Sequence, residues 1–515
     1  MNKKIPSRES IRMMDTSDSA AKGSDVDELG IAPENGWNAL YLDGEWVPAS
    51  DRDLIDVENP ATRTTLTTVP SGTEDDVDEA YAIAEEAQAE WAERPPQERA
   101  AVVSEACELL GEYADDLATL FAVECGGVQL KADFEIQLAQ GTMDVGAGLA
   151  MRDGGRRKDS VTPGKENLLV REPAGVVGVI TPWNFPLYLT SRVVAPAIAL
   201  GNSVVVKPDE HTPLTGGLVL ARAFEEAGLP DGVLNVVPGY GHEIGDHFSG
   251  HPVPSVMSFT GSSEVGRGVG QRAVGSYTEP ALELGGNNAH VVLSDADLER
   301  AIDAGAFGSF THQGQECISI NRHLVHESLY EEYVAGLADR AEQLPIGDPL
   351  EEGSLVGPVI NESQRDKIVG FIEESVERGA TVEAGGSHDG LFVEPTVLSG
   401  VTNDMPAACN EHFGPVAPVI PFETDEEAIR LANDTEYGLS GSVHSTDVAR
   451  ARDVADAMET GMVHINDQPL NDEPHVAFGG VGASGMGRYN DEWILETLTS
   501  VKWISIQREP REYPY

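Results

Sequence analysis

Apolar residues over positions 74–124 recur at helical spacing, mostly as alanine and leucine. They predict two amphipathic helices with Pro95-Pro96 as the break between them. From Gly175 the period changes to short valine-rich runs alternating with helical stretches. Strands are expected at 176–181, 203–207, 233–237 and 256–260, with helices running to position 199 and over 214–227. Such alternation implies a parallel, doubly wound sheet. A second alternating region begins at Asn288. It places strands at 290–293, 323–326, 416–422 and 461–466, a helix leading to Cys317, and helices over 330–344 and 367–378. The fold class expected is α/β, with two lobes.

A doubly wound sheet binds ligands at the carboxyl ends of its strands. In the first lobe those ends carry Pro182-Trp183-Asn184-Phe185, then Lys207-Pro208-Asp209-Glu210, then Pro238-Gly239-Tyr240-Gly241, and lastly the turn from Gly261 through Ser262 to Gly266. A glycine-rich turn opening a helix offers N–H groups to phosphate, although a plain turn reads the same way. Lys207 ends a buried strand and needs a partner there. Its donors suit ribose hydroxyls or phosphate, and Glu210 can accept from the two hydroxyls of a ribose. Glu283 is an acid inside the apolar, glycine-rich run Leu282-Glu283-Leu284-Gly285-Gly286. Burial raises such a pKa toward that of a useful general base; a carboxylate capping backbone amides is the plainer reading. Cys317 follows Gly314-Gln315-Glu316 at the end of a small-residue helical run, where a bend can present a thiol to a cleft; a buried core cysteine is the alternative. The cleft between the lobes is the natural active site.

The 515 residues are too many for one ordinary core and suggest two or three domains. With 34 basic against 87 acidic residues the formal net charge is −53. Such a field repels nucleic acid and anionic membranes, so neither is an expected partner. The acids are spread along the chain and only nine residues are lysine, which fits a cytoplasmic protein of a salt-accumulating halophile, because molar salt screens self-repulsion within a few ångströms. The periodic, valine-rich interior argues against an acidic disordered chain. Cys107, Cys125, Cys317 and Cys409 lie far apart without a CxxC pair, so neither a metal site nor a disulfide framework is expected. No apolar run reaches the roughly 18 residues of a membrane span, and no signal-peptide core is present. Residues 1–35 read as a disordered leader, with Met13 or Met14 as alternative starts.

Asn184, Lys207, the 261–266 turn, Glu283, Cys317 and Glu411-His412-Phe413-Gly414-Pro415 occur in an order and spacing that resemble the aldehyde dehydrogenase superfamily. The resemblance runs from about residue 38 to the end. It includes Leu-Glu-Leu-Gly-Gly, Gly-Gln-x-Cys, and Phe-Gly-Gly followed by Ser484-Gly485-x-Gly487-Arg488. It implies an NAD-binding domain over 36–143 and 168–285, a catalytic domain over 286–488, and a small oligomerisation β-extension from 144–167 and 489–515 that makes a homodimer or homotetramer. By resemblance Cys317 is the nucleophile, Asn184 with the Cys317 N–H holds the oxyanion, and Glu283 activates water. The implied cofactor is NAD, with NADP possible, because Glu210 repels a 2′-phosphate. The implied contacts are Thr181, Trp183, Lys207, Glu210, Gly241, Gly261, Ser262, Gly266, Leu284, Gly285, Glu411 and Phe413.

The stretch 461–475 and His312-Gln313-Gly314-Gln315 resemble the benzaldehyde and vanillin dehydrogenase branch. The substrate pocket this implies contains Phe185, Tyr188, Leu189, Arg192, Glu316, Ile318, Leu470 and His475. Arg192 either meets a ring hydroxyl or carboxylate or pairs with Glu316. Unless so neutralised, Glu316 raises the pKa of the adjacent cysteine. The lysine common after Phe-Gly-Gly in the family is Val481 here. An aliphatic or semialdehyde substrate, a CoA-acylating enzyme, and a silent NAD-binding structural member are the alternatives; Glu283 argues against the second, and the intact Cys317, Glu283 and Asn184 against the third.

Overall fold

The computed structural model describes residues 25–152 and 154–515. Two sheets dominate it. The first runs edge to edge through Glu45–Pro48, Ala39–Leu42, Leu234–Val236, Ser203–Lys207, Val176–Ile180, Val256–Thr260, Glu279–Glu283 and Gly485–Met486. Its five central strands, Leu234–Val236 to Glu279–Glu283, are parallel. Strand order reverses at Val176–Ile180, which lies between Ser203–Lys207 and Val256–Thr260. A crevice opens at such a switch point, beyond the carboxyl ends of the strands.

The second sheet runs through Thr381–Ala384, Thr396–Ser399, Val416–Phe422, Ile320–His326, Asn288–Val292, Gly441–His444 and His464–Ile465, with all but the first strand parallel to its neighbours. Only residues 284–287 separate the end of Glu279–Glu283 from the start of Asn288–Val292. The chain therefore leaves the carboxyl edge of one sheet and enters the amino edge of the next, and the two edges face one cleft. Arg322 anchors this crossing: its guanidinium donates to the carbonyls of Asn287 (2.8 Å), Leu431 (2.6 Å) and Ala432 (2.9 Å).

A third sheet of three antiparallel strands, Gly155–Asp159, Lys165–Pro173 and Thr499–Gln507, projects with side chains half-buried or exposed, Trp503 among them. Residues 144–149, expected in this extension, belong instead to the helix Gln129–Leu149, and 491–498 also form a helix.

The region 74–125 holds three helices instead of two: Glu74–Glu93, Pro96–Glu112 and Ala114–Cys125. Pro95-Pro96 breaks the first from the second, but the second break falls at Tyr113, which no proline marks and where the nearest glycine, Gly111, sits inside the last turn of its helix. Thr73 caps the first helix in a reciprocal box with Asp76. The expected leader also differs. Val26, Ile31 and Trp37 are buried in the first core, and the Trp37 indole donates to Val26 O at 3.0 Å. Residues 1–24 of that expectation lie outside the described residues. The strand expected at 461–466 shrinks to His464–Ile465.

Candidate active site

The thiol is positioned by a strained turn. After the helix Leu298–Phe310, His312 and Gln313 take positive φ of 46° and 56°, and Gly314 follows at 66°. Positive φ is costly for residues with a Cβ. At Gly314 a side chain would also run into the carbonyl of Gly414, so this glycine is fixed by both conformation and space. Beyond the turn the backbone is pinned from both lobes. Asn184 Nδ2 donates to Gln315 O (2.9 Å), and Asn288 Nδ2 donates to Cys317 O (2.9 Å) and Ser319 O (2.7 Å). Ile360 N donates to Gln315 Oε1 at 3.0 Å.

Two cavities meet at this cysteine. The first is a cleft lined by Pro182, Trp183, Thr260, Gly261, Ser262, Glu283, Leu284, Gly285, Gln364, Lys367, Glu411 and Phe413. The second is a narrower tunnel lined by Phe134, Leu138, Phe185, Tyr188, Arg192, Glu316, Ile318, Leu470, Asp472 and Phe478. Asn184, Leu189 and Cys317 line both. Burial, with Glu283 and Glu411 adding negative charge, pushes the Cys317 thiol far above its usual range; Arg192 works the other way.

Glu283 is fully buried, and neither carboxyl oxygen has a hydrogen-bond partner. Its pKa is pushed up to about 8 by burial, against the pull of Arg192 and Arg488. An unpartnered buried carboxyl is expensive, and such a group in a cleft marks a site built for something other than stability.

The cleft walls come from backbone brought close. Gly286 N donates to Glu411 Oε1 at 2.8 Å, and a Cβ at Gly285 would sit 2.5 Å from Glu411 Oε2. Trp183 and Phe413 meet edge-on with ring centres 5.4 Å apart. Ser262 caps the helix Ser263–Gly275, accepting from Val265 N at 3.3 Å, and a Cβ at Gly266 would overlap Leu284. Lys207 is buried at the end of its strand with Nζ donating to Pro208 O (3.1 Å), and burial lowers its pKa. Thr181 Oγ1 is buried without a partner. Glu210 is half-buried in the turn after Lys207, and Gly241 opens the helix Gly241–Gly250. Gln364 and Lys367 were not singled out by sequence. Both lie on the helix Glu362–Glu377, and a lysine in a chain with so few was the available signal.

Arg192 does not pair with Glu316. Its Nη1 lies 3.4 Å from Asp472 Oδ2, and its guanidinium packs 4.1 Å from the Phe478 ring centre and 4.8 Å from that of Tyr489. Tyr188 Oη donates to the same Asp472 oxygen. Asp472 sits in an irregular loop, so no period in the sequence announced it. Of the eight residues expected in the substrate pocket, seven line the tunnel. His475 does not: its side chain is 65% exposed and stands 3.5 Å from Glu473.

A half-buried thiol at the junction of a glycine-walled cleft and an aromatic tunnel, with a carboxyl of raised pKa in the same cleft, is the arrangement that cysteine-nucleophile enzymes need, here on a two-lobed α/β fold. Residues 46–504 match the model of the aldehyde dehydrogenase family. The chain is 45% identical to a benzaldehyde dehydrogenase of Bacillus subtilis, over 93% of this chain and 99% of that one. It is 46% identical to a vanillin dehydrogenase of Corynebacterium glutamicum, over 91% and 97%. A crystal structure of betaine aldehyde dehydrogenase from Staphylococcus aureus in complex with NAD+ superposes with a TM-score of 0.92 at 34% identity, over 96% of this chain and 99% of that one. The chain therefore belongs to the aldehyde dehydrogenase family.

Proposed function

We propose that this chain oxidises aromatic aldehydes of the benzaldehyde and vanillin type to their carboxylic acids, with NAD as the electron acceptor. The observation that carries the aromatic reading is the tunnel, whose wall holds Phe134, Phe185, Tyr188 and Phe478 and ends on Cys317. Flat aromatic walls favour a flat ring. Support comes also from relatives, since a benzaldehyde dehydrogenase named for NAD(+), of Pseudomonas putida, is 44% identical over 93% of the chain.

The cleft, together with Thr181, Lys207, Glu210, Gly241 and Gly266 outside its lining, fits the adenine dinucleotide. Thr181 Oγ1 is an orphaned donor, Lys207 has N–H bonds to spare after its one bond to Pro208, and the N-terminus at Ser262 presents backbone N–H groups for a pyrophosphate. Lys207 and Glu210 would hold the adenosine ribose, with Gly241 beside them. Gly261, Ser262 and Gly266 would hold the phosphates. Trp183, Leu284, Gly285, Glu411 and Phe413 would frame the nicotinamide end. The bound dinucleotide supplies one thing, a hydride acceptor.

The chain's own groups do the rest. Cys317 Sγ, deprotonated, adds to the aldehyde carbon. The oxyanion is held by the N–H of Asn184 not used on Gln315 O and by the Cys317 backbone N–H. Hydride leaves the adduct carbon, and a thioester to Cys317 remains. Glu283 takes a proton from water, the hydroxide attacks the thioester carbon, and the acid and the thiol are released. Aldehyde, water and NAD+ thus yield acid, NADH and a proton.

The family-fold extension Gly155–Asp159, Lys165–Pro173 and Thr499–Gln507, with Trp503 and Val501 exposed, supports assembly as a dimer or tetramer. Among the described residues no helix is long and apolar enough to cross a membrane; with the dispersed acidic surface this supports a cytoplasmic location in a salt-rich cell. The deciding assay follows reduced nicotinamide in molar KCl with NAD or NADP, comparing benzaldehyde and vanillin with acetaldehyde and succinate semialdehyde. Higher kcat/KM on the aromatic pair is expected; preference for the aliphatic pair overturns the aromatic reading.

A further inference from the structure

Glu316 lines the tunnel next to the thiol, on backbone that cannot swing away. Gln315 O and Cys317 O on either side are held by Asn184 and Asn288, and Ser319 N donates to Glu316 O at 3.0 Å. The charges around it are already committed. Arg192 across the tunnel is paired with Asp472 and enclosed by Phe478 and Tyr489. Asp472 itself accepts from Tyr188, Arg192 and Asn490. Behind Glu316, on the helix Gln129–Leu149, the buried Lys131 is bonded to Glu135 and to Cys125 Sγ (3.3 Å). Glu316 Oε1 has no hydrogen-bond partner, and among the described residues no cation forms an ion pair with the carboxyl.

We propose that Glu316 is a specificity-determining residue that, in its ionised form, makes the tunnel reject aldehydes bearing a second, anionic group. A carboxylate entering the tunnel meets no free arginine or lysine, and once Glu316 is ionised the two like charges in a partly desolvated space disfavour one another. An uncharged aldehyde escapes this penalty. The inference rests on Cys317 as the nucleophile and the tunnel as the substrate route, and does not need the ring to be aromatic.

The rejection has a pH signature. Burial holds the Glu316 proton to about 8; Lys131 opposes this and Glu135 adds to it. Below that pH the neutral carboxyl can donate to a substrate carboxylate, and above it the two repel. The titratable groups facing it are Lys131 and Glu135 on the helix behind and Cys317 beside it, with Glu283 and Glu411 beyond the thiol and Arg192 and Asp472 on the opposite wall. Titration of Cys317 or Glu283 changes turnover of every aldehyde alike, so a ratio of substrates isolates Glu316.

The test is kcat/KM for para-carboxybenzaldehyde divided by kcat/KM for benzaldehyde. In the parent protein the ratio is expected to fall about ten-fold between pH ~6.5 and pH ~9.5, as one like charge appears beside the substrate. In Glu316→Gln it should stay flat, about ten-fold above the parent at the upper pH, while Glu316→Asp keeps the slope. A flat ratio in the parent, or the same ratio in Glu316→Gln as in the parent at both ends, overturns the proposal. Should Glu316→Gln fail to fold, the parent slope and Glu316→Asp still decide. If benzaldehyde is not turned over, the aromatic reading fails by itself, and succinate semialdehyde against butanal gives the same ratio for Glu316.

Discussion

The cleft and the tunnel share Asn184, Leu189 and Cys317 but are built in opposite ways. The cleft is shaped by backbone at strand ends, a capped helix and glycines where a Cβ would strike Leu284 or Glu411, with Trp183, Glu411 and Phe413 set against them. The tunnel is side chain throughout, with rings and charges drawn from the helices Gln129–Leu149 and Pro186–Leu200, the turn at Glu316 and the loop at 470–478. Backbone geometry suits a ligand common to a whole family. Side-chain walls can be exchanged one at a time, and that is where a substrate is chosen.

Substitutions should separate the two regions. Cys317→Ala, at their junction, is expected to lower turnover by at least ~10⁴-fold while NAD binding, followed by protein fluorescence, persists. Next in size, Glu283→Gln should slow thioester hydrolysis ~10²–10⁴-fold and leave acyl-enzyme visible by mass spectrometry. In the parent, hydrolysis should rise with pH through about 8, since the base acts only when deprotonated and burial holds its proton to that value; a rate independent of pH across that point would remove Glu283 from the role.

Smaller effects should fall on one region each. Asp472→Ala leaves Arg192 buried without its partner, which typically costs about 3–5 kcal/mol. The melting temperature should drop and the KM for aldehyde rise, with NAD affinity unchanged; a loss of NAD affinity would show that the regions are coupled. Gly266→Ala does the reverse. Its new Cβ meets Leu284, an overpacking worth about 1–3 kcal/mol, so the KM for NAD should rise while the aldehyde preference holds.

Much of the cleft was legible in sequence because it is local. Pro182 to Asn184, Gly261 to Gly266 and Leu282 to Gly286 each lie within a few residues, the first two at strand ends that the valine runs already predicted and the third at the end of the strand Glu279–Glu283, which no valine run announced. The three-helix layout of 74–125 was not, because the break at Tyr113 carries no proline and Gly111 before it lies inside the helix, and helices turn there to follow the core they pack on. The buried Val26 and Ile31 were hidden by their acidic neighbours, since composition averages over a segment whereas burial acts on single side chains. His475 was placed in the pocket by the resemblance of the stretch 461–475 that it ends, and an irregular loop has no period from which to tell inward from outward.

By itself the sequence determined the alternation of strand and helix and the two lobes, because periodicity and turn chemistry are local. It also determined which residues were equipped for nucleophilic and general-base chemistry. Only the tertiary structure decided which charges cancel. Arg192 lies 280 positions from Asp472 and four from Tyr188, yet Arg192 and Tyr188 both meet the Asp472 carboxylate, while Glu316 Oε1 has no partner. Electrostatic pairing depends on distance in space and on the surrounding dielectric, and neither is written along the chain.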